Sequence, residues 1–276
     1  MSTTYKSEVL VLGASGKAGA LVAGKLEAQG HLVRRASRSS AVPFDWDDRA
    51  TWRRAITGTD AVFFLPTETL SLEDRAAFVA VAEDEGVKRI VQLSVRGLSG
   101  EGEYHATEQA VVESGLQWTL LRPCWFAQDF SAPEYFLEGV RAGVVATPAG
   151  DGREPFIHAE DIAEVAVAAL TSPDHHGKAY DLSGPDLLSF AEALEIISEA
   201  VGREIKHVKA TIAESAAALE RSGHPSEAAV AVAQFLHEIS NGADAFLSNG
   251  VEEALGKKPR SFAEYARDAA ATGVWS

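Results

Sequence analysis

The chain has 276 residues, 46% of them hydrophobic, which suits one large domain or a nucleotide-binding domain with a smaller appendage. Its 40 acidic residues against 25 basic ones give a net charge of −15, which argues against nucleic acid or an anionic membrane surface as partner. The single cysteine, Cys124, excludes an internal disulfide and a multi-cysteine metal site, and it fits a reducing, cytoplasmic setting. No apolar stretch reaches membrane-spanning length, and Met1-Ser2-Thr3-Thr4-Tyr5-Lys6 carries no apolar signal region. Among the histidines only His175 and His176 are close together, in a polar turn, so no metal is expected.

The first predicted strand, Val9-Leu10-Val11-Leu12, stops at a glycine. Gly13-Ala14-Ser15-Gly16-Lys17-Ala18-Gly19 follows, and a helical pattern then runs to about Gln29. Strand, glycine turn and helix N-terminus in that order make an anion site. The free N–H groups of the first helical turn and the positive end of the helix dipole point at whatever lies above the strand. Gly13 permits the tight turn, Gly16 lets the backbone approach a phosphate, and Gly19 lets the helix pack close to its strand. Ser15, Lys17 and Ala18 complete the expected dinucleotide cradle.

His31 to Ala36 reads as the second strand, ending in Ser37-Arg38-Ser39-Ser40. An acidic residue beyond this strand would grip the ribose 2′-hydroxyl of NAD. Here an arginine flanked by hydroxyls stands instead, so Arg38, with Ser39 or Ser40, is expected to hold the 2′-phosphate of NADPH. Pro43-Phe44-Asp45-Trp46 looks like the third strand, too close to the second for a crossover helix. Asp45 and Trp46 are expected at the edge and face of the adenine, with plain core packing as the other reading of Trp46. A short helix opens at Asp47 and Asp48. Asp60 to Leu65 is a buried strand stopped by Pro66, and Leu65 and Pro66 are expected to wall the cofactor cleft. A helix from Leu72 to Glu85, a strand Arg89–Ser94, a helix near Thr107–Ser114 and a strand Trp118–Leu121 follow.

Strands alternating with helices predict an α/β fold, a Rossmann-type doubly wound parallel sheet with ligands at the strands' carboxyl ends. Residues 1–130 are expected to form the NADP(H)-binding domain. Residues 131–276 are expected to form a smaller, mostly helical substrate-binding or lid region that returns partly to the core around 150–185. The sets Ile212/Ala216/Leu219 and Val232/Phe235/Leu236/Ile239 have helical spacing and could serve as a lid, a homodimer face or core.

Several strings resemble the NmrA-like branch of the atypical short-chain dehydrogenases/reductases over essentially the whole chain: Gly13-Ala-Ser-Gly16-Lys-Ala-Gly19, Gly30-His31 through Arg38, Val87-Lys88-Arg89-Ile90-Val91-Gln92-Leu93-Ser94, and Thr119-Leu120-Leu121-Arg122-Pro123. A narrower likeness is to the festuclavine/agroclavine synthase-type reductases of ergot-alkaloid biosynthesis. It rests on Ala36 to Ser40, Phe44-Asp45-Trp46, Arg122-Pro123-Cys124-Trp125-Phe126, Gly150 to Ile157 and Lys257 to Phe262. The resemblance implies NADPH as hydride donor and a small cationic or conjugated acceptor of secondary metabolism.

Ordinary members of that superfamily use a Tyr-x-x-x-Lys helix and a serine at the preceding strand end. Here the serine is Ser94 and the nearest tyrosine is Tyr104, but Glu108 stands where the lysine belongs. A carboxylate there raises a neighbouring tyrosine's pKa instead of lowering it, so the dyad is broken. Ser94, Tyr104 and His105 remain the candidate catalytic residues; His105 and Glu108 form either a proton-sharing i, i+3 pair or a solvated helix face. Two functions are then open. One is a reductase whose acceptor, an iminium, imine or quinone, needs no proton from the enzyme. The other is a protein that binds NADP(H) without chemistry and reports redox state. Trp125, Phe126 and Phe130 are expected to form an apolar wall for a flat substrate, with core packing as the rival.

Overall fold

The computed structural model describes residues 7–38, 40–67, 70–96 and 105–276. The chain opens with β1 (Glu8–Leu12), α1 (Lys17–Ala28), β2 (Leu32–Ser37), β3 (Val42–Pro43), α2 (Arg49–Ile56) and β4 (Ala61–Phe64). It continues through α3 (Leu72–Asp84), β5 (Arg89–Leu93), α4 (Ala106–Val112) and β6 (Gln117–Pro123). Next come α5 (Leu137–Ala142), β7 (Val144–Thr147), β8 (Arg153–Glu154), α6 (Ala159–Thr171) and β9 (Lys178–Leu182). The last part holds β10 (Leu188–Ser189), α7 (Phe190–Val201), β11 (Lys206–Lys209), α8 (Ile212–Arg221), α9 (Ser226–Ser240), α10 (Gly250–Leu255) and α11 (Phe262–Ala271). Two compact units result. The first takes Met1–Pro123, Ala159–Leu182 and Gly250–Lys257; the second takes Cys124–His158, Ser183–Asn249 and Lys258–Ser276.

The first unit is built on a seven-stranded sheet in the order β3-β2-β1-β4-β5-β6-β9, every neighbouring pair parallel. This is a Rossmann-like α/β fold. β1 and β4 are fully apolar from Val9 to Leu12 and from Ala61 to Phe64, as central parallel strands covered on both faces must be. The strand order reverses between β1 and β4, which opens a crevice at their carboxyl ends. Only residues 38–41 separate β2 from β3, whose Val42 and Pro43 pair with Ala36 and Ser37. Asp48, not Asp47, caps α2, its side chain accepting from the Ala50 N–H.

A histidine pair ties β6 to β9. Thr119 Oγ1 donates to the His175 carbonyl (2.8 Å), Trp118 N–H donates to His176 Nδ1 (3.2 Å), and His175 Nδ1 lies 2.9 Å from the Tyr180 hydroxyl. Burial, assisted by the nearby Lys178 cation, pushes the His175 pKa below its ordinary 6.5. The unfolded chain therefore binds that proton more readily than the fold does. The stability His175 contributes is present above about pH 6.5 and is lost as the pH falls toward its lower folded-state value. Thermal unfolding at pH 7.5 and 5.5 checks this: the midpoint is expected to drop in acid, and His175→Gln to shrink the drop.

The second unit is organised around phenylalanines. Phe130 is fully buried and ringed by Phe136, Phe156, Phe190 and Phe262, all at centroid separations of 5.3–5.6 Å. Trp275 Nε1 donates to its carbonyl at 2.8 Å. The α8 and α9 stripes also pack inward. Ala216 and Leu219 meet Ala229 and Ala233, while Leu236 and Ile239 enter the phenylalanine core, and Ile212, Val232 and Phe235 pack against these clusters partly buried.

Candidate cofactor site

The turn after β1 has the geometry of a phosphate cradle. Gly13 lies at φ +65°, where an added Cβ would stand 2.4 Å from Leu65 Cδ2 at the end of β4. The Gly16 N–H closes the turn on the Gly13 carbonyl at 2.9 Å. At Gly19 a Cβ would fall 2.2 Å from that same carbonyl oxygen, so only glycine lets α1 start this close to the turn. Gly16 differs. Its φ is −86°, and a Cβ there would meet nothing nearer than 3.4 Å, so no protein atom demands a glycine. The bare backbone at exposed Ser15 and Gly16 is open to a ligand instead. No side chain caps α1 and no acid stands in its first turn, whereas Ser or Thr hydroxyls close the first turns of α3, α7, α8 and α11. The first N–H groups of α1, at Lys17 and buried Ala18, suit a pyrophosphate. Leu65, half-buried, borders the same turn from the end of β4, and half-buried Pro66 follows it.

Beyond β2, Arg38 is exposed and pairs with no carboxylate among the described residues, whereas Arg34 and Arg35 of the same strand pair with Glu8 and Glu27. Ser39 lies outside the described residues. The Ser40 hydroxyl is already engaged, accepting from Ser37 N–H (2.9 Å) and donating to Val42 O (2.6 Å). Asp45 serves its own turn, its side chain accepting from the Asp47 N–H at 3.2 Å and its carbonyl from Trp52 Nε1 at 2.9 Å. Half-buried Trp46 sits edge-on to Phe44 at 4.7 Å, Phe78 at 5.1 Å, Trp52 at 5.7 Å and Phe64 at 5.8 Å. These rings pack around one part of Trp46, and the half-buried side chain keeps some surface beyond them.

At the carboxyl ends of β5 and β6 the structure brings together residues that local pattern left separate. Tyr104 lies outside the described residues. Glu108 is fully buried and receives two bonds from Arg122, from Nε at 2.9 Å and Nη2 at 2.6 Å. It also accepts the His105 backbone N–H at 3.1 Å, completing a capping box at the start of α4. Burial by itself would raise the Glu108 pKa. The Arg122 guanidinium, the neighbouring Ser94 hydroxyl and the His105 N–H overcome this and hold it below the ordinary carboxylate value. The His105 ring is a cap, its Nδ1 accepting from Thr107 N–H at 3.2 Å, so a proton-sharing His105–Glu108 ring pair is not formed. Arg122 was not among the expected functional residues; the signal available was only an Arg-Pro at a strand end.

Of the three aromatics after β6, Phe130 is core and offers no surface to a ligand. Trp125 is nearly buried, its ring stacked on Phe235 at 5.7 Å and its backbone N–H donating to Glu154 Oε1 at 2.9 Å. Phe126 is half-buried and bridges to Ile157. Cys124 is buried, its Sγ donating to Pro155 O at 2.8 Å. Among the described residues no helix is long and apolar enough to cross a membrane, and no three His, Cys, Asp or Glu side chains gather as a metal site would require.

A family model described as NAD(P)H-binding matches residues 13–173. Agroclavine dehydrogenase of Claviceps fusiformis is 34% identical over 94% of this chain and 96% of its own length. The (4-alkanoyl-5-oxo-2,5-dihydrofuran-3-yl)methyl phosphate reductase of Streptomyces griseus is 32% identical over 94% of this chain and 97% of its own. The crystal structure of Citrobacter sp. triphenylmethane reductase complexed with NADP(H) superposes with a TM-score of 0.74 at 22% identity, covering 95% of this chain and 99% of that one. Glycine cradle, sheet order and sequence kinship agree: the chain belongs to the NAD(P)H-binding family of Rossmann-like oxidoreductases.

Proposed function

We propose that the protein is an NADPH-dependent reductase that passes hydride to a small cationic or conjugated acceptor, an iminium, imine or quinone. The observation that carries this reading is Glu108, a buried carboxylate locked to Arg122 at the position where a catalytic lysine would lower the pKa of Tyr104. With no cation on that residue, an acceptor that needs no enzymatic proton fits best. An iminium carbon that gains hydride becomes a neutral amine directly, a neutral imine must first take a proton from water to become that iminium, and a reduced quinone takes its protons from water. NADPH, when bound, supplies the hydride. The turn from Ser15 to Ala18 binds its pyrophosphate, Arg38 its 2′-phosphate, and Ser94 marks the nicotinamide half. Of the three aromatics after β6, Phe126 alone is half-buried and keeps surface of its own. The names of the two relatives, a clavine dehydrogenase and a reductase of an unsaturated lactone, support acceptors of this kind.

Consumption of NADPH with a panel of cyclic iminium ions, quinones and simple ketones tests the proposal. Turnover of the first two and not of the ketones is the expected result. Binding of NADPH with no turnover of any acceptor would move the protein to a non-catalytic redox-reporting role. Tyr104→Phe should lower turnover by less than about tenfold, against the 10²–10⁴-fold typical of a lost general acid. A thousandfold loss with intact cofactor affinity would make Tyr104 a proton donor and end the iminium reading.

A further inference from the structure

We propose that Glu108 and Arg122 are a positioning pair that locks the carboxyl ends of β5 and β6 and the start of α4 into one rigid frame for the nicotinamide half of the cofactor. The proposal rests on the reading that the β4–β6 half of the sheet takes the nicotinamide. Its geometry lies within one compact unit. The Ser94 N–H donates to Leu121 O at 2.7 Å and the Arg96 N–H to Pro123 O at 3.0 Å, so the chain beyond β5 follows β6 on either side of Arg122. Arg122 then reaches Glu108 with two parallel bonds, and Glu108 holds the His105 N–H. Gln92, also buried, adds a bond from its Nε2 to Thr107 O at 3.1 Å. Three segments are thereby fastened at one point, by a two-bond fork that fixes direction as well as distance.

Such a pair is an all-or-nothing device. Removing one partner strands a buried charge, whereas replacing both by neutral groups of similar size leaves the fold nearly indifferent. Among the described residues, the groups facing Glu108 are Arg122 from β6, Ser94 beyond β5 and the His105 N–H of its own cap. Arg96 stands two residues beyond Ser94, and from α3 the carboxylate of Glu83 is engaged with the Gly115 N–H, past the other end of α4. Without Arg122, burial is left as the dominant influence on Glu108, and the carboxyl should take up a proton within the accessible pH range.

The test reads the affinity of NADP+ by calorimetry from pH 5 to 9, expressed as a ratio to wild type so that ionisation of the ligand's own phosphate cancels. Arg122→Met should bind at least about tenfold more weakly at pH 8, with the deficit shrinking toward pH 5 as Glu108 becomes neutral. Arg122→Lys, which keeps the cation without the fork, should recover only part of the loss, and the double variant Glu108→Gln/Arg122→Met, which strands no charge but lacks the lock, should bind more than about threefold more weakly than wild type by the same factor at every pH. A deficit in Arg122→Met that does not change with pH, or a double variant within threefold of wild type, would overturn the proposal. Should Arg122→Met fail to fold, the double variant decides alone: folded and more than threefold weaker at every pH it supports the pair, unfolded or within threefold it refutes it. Binding and not turnover is read, so a protein that reduces none of the acceptors still decides the matter.

Discussion

Gly19→Ala should abolish measurable dinucleotide binding, a loss of at least about a hundredfold, and lower the melting temperature as well. The added methyl would stand 2.2 Å from the Gly13 oxygen and 2.7 Å from its carbonyl carbon. Both are backbone atoms and cannot rotate away. The turn has no second position to retreat to, because Gly13 already holds a positive φ against the Leu65 side chain. Overpacking of this kind costs about 1–3 kcal/mol or more, and displacing the turn takes the phosphate-facing N–H groups with it. Gly16→Val gives the contrast. The backbone there is ordinary and the space is open, so the fold should survive by circular dichroism while binding of either cofactor is lost. A Gly19→Ala protein that binds NADP(H) like wild type would show that this turn is not the cradle.

Arg38→Ala should weaken NADPH by about 1.5–3 kcal/mol, roughly ten- to a hundredfold, and leave NADH nearly unchanged. The reason is selectivity by charge at one point of the ligand. Arg38 stands exposed at the end of β2 and engages no described carboxylate, so its fork is available to a 2′-phosphate, whereas Arg35 is bound to Glu27. No acid follows β2 to take a 2′-hydroxyl instead. Titration with both cofactors checks the expectation. Equal losses for the two would remove Arg38 from phosphate recognition and leave the choice between NADPH and NADH to other residues.

The nucleotide-binding half was legible in the chain because its signals are local. The Gly13–Gly19 spacing, the apolar run of β1 and the short step from β2 to β3 each lie within a dozen residues, and the structure reproduces them, although β3 is Val42–Pro43 and not the expected Pro43 to Trp46. The Glu108–Arg122 pair was not legible, since its members sit on different elements and meet only once β6 is laid beside β5. Glu108 alone reads as a surface residue of a short helix; its counter-ion is what permits burial. Phe130 was misplaced for a related reason. An aromatic that follows a strand end has the same local sequence whether it faces a ligand or four other rings, and only the tertiary packing of α7, α11 and their neighbours decides. The stripes of α8 and α9 carried the opposite ambiguity, and there the commoner outcome, core, holds for Ala216, Leu219, Leu236 and Ile239.

The interleaving of the two units has a consequence for biosynthesis. The sheet that holds the glycine cradle needs β9, and its unit needs the segment Gly250–Lys257. At translation rates of about 5–20 residues per second, the nascent chain waits on the order of ten seconds after β6 has emerged before its last piece arrives. Until β9 has emerged β6 presents an unpaired edge, and through the whole interval the first unit remains unfinished, an invitation to chaperones and to mispairing. No truncation that ends between Pro123 and Gly250 can yield the complete nucleotide-binding unit. Expression of this protein in pieces should therefore fail where a chain with sequential domains would succeed.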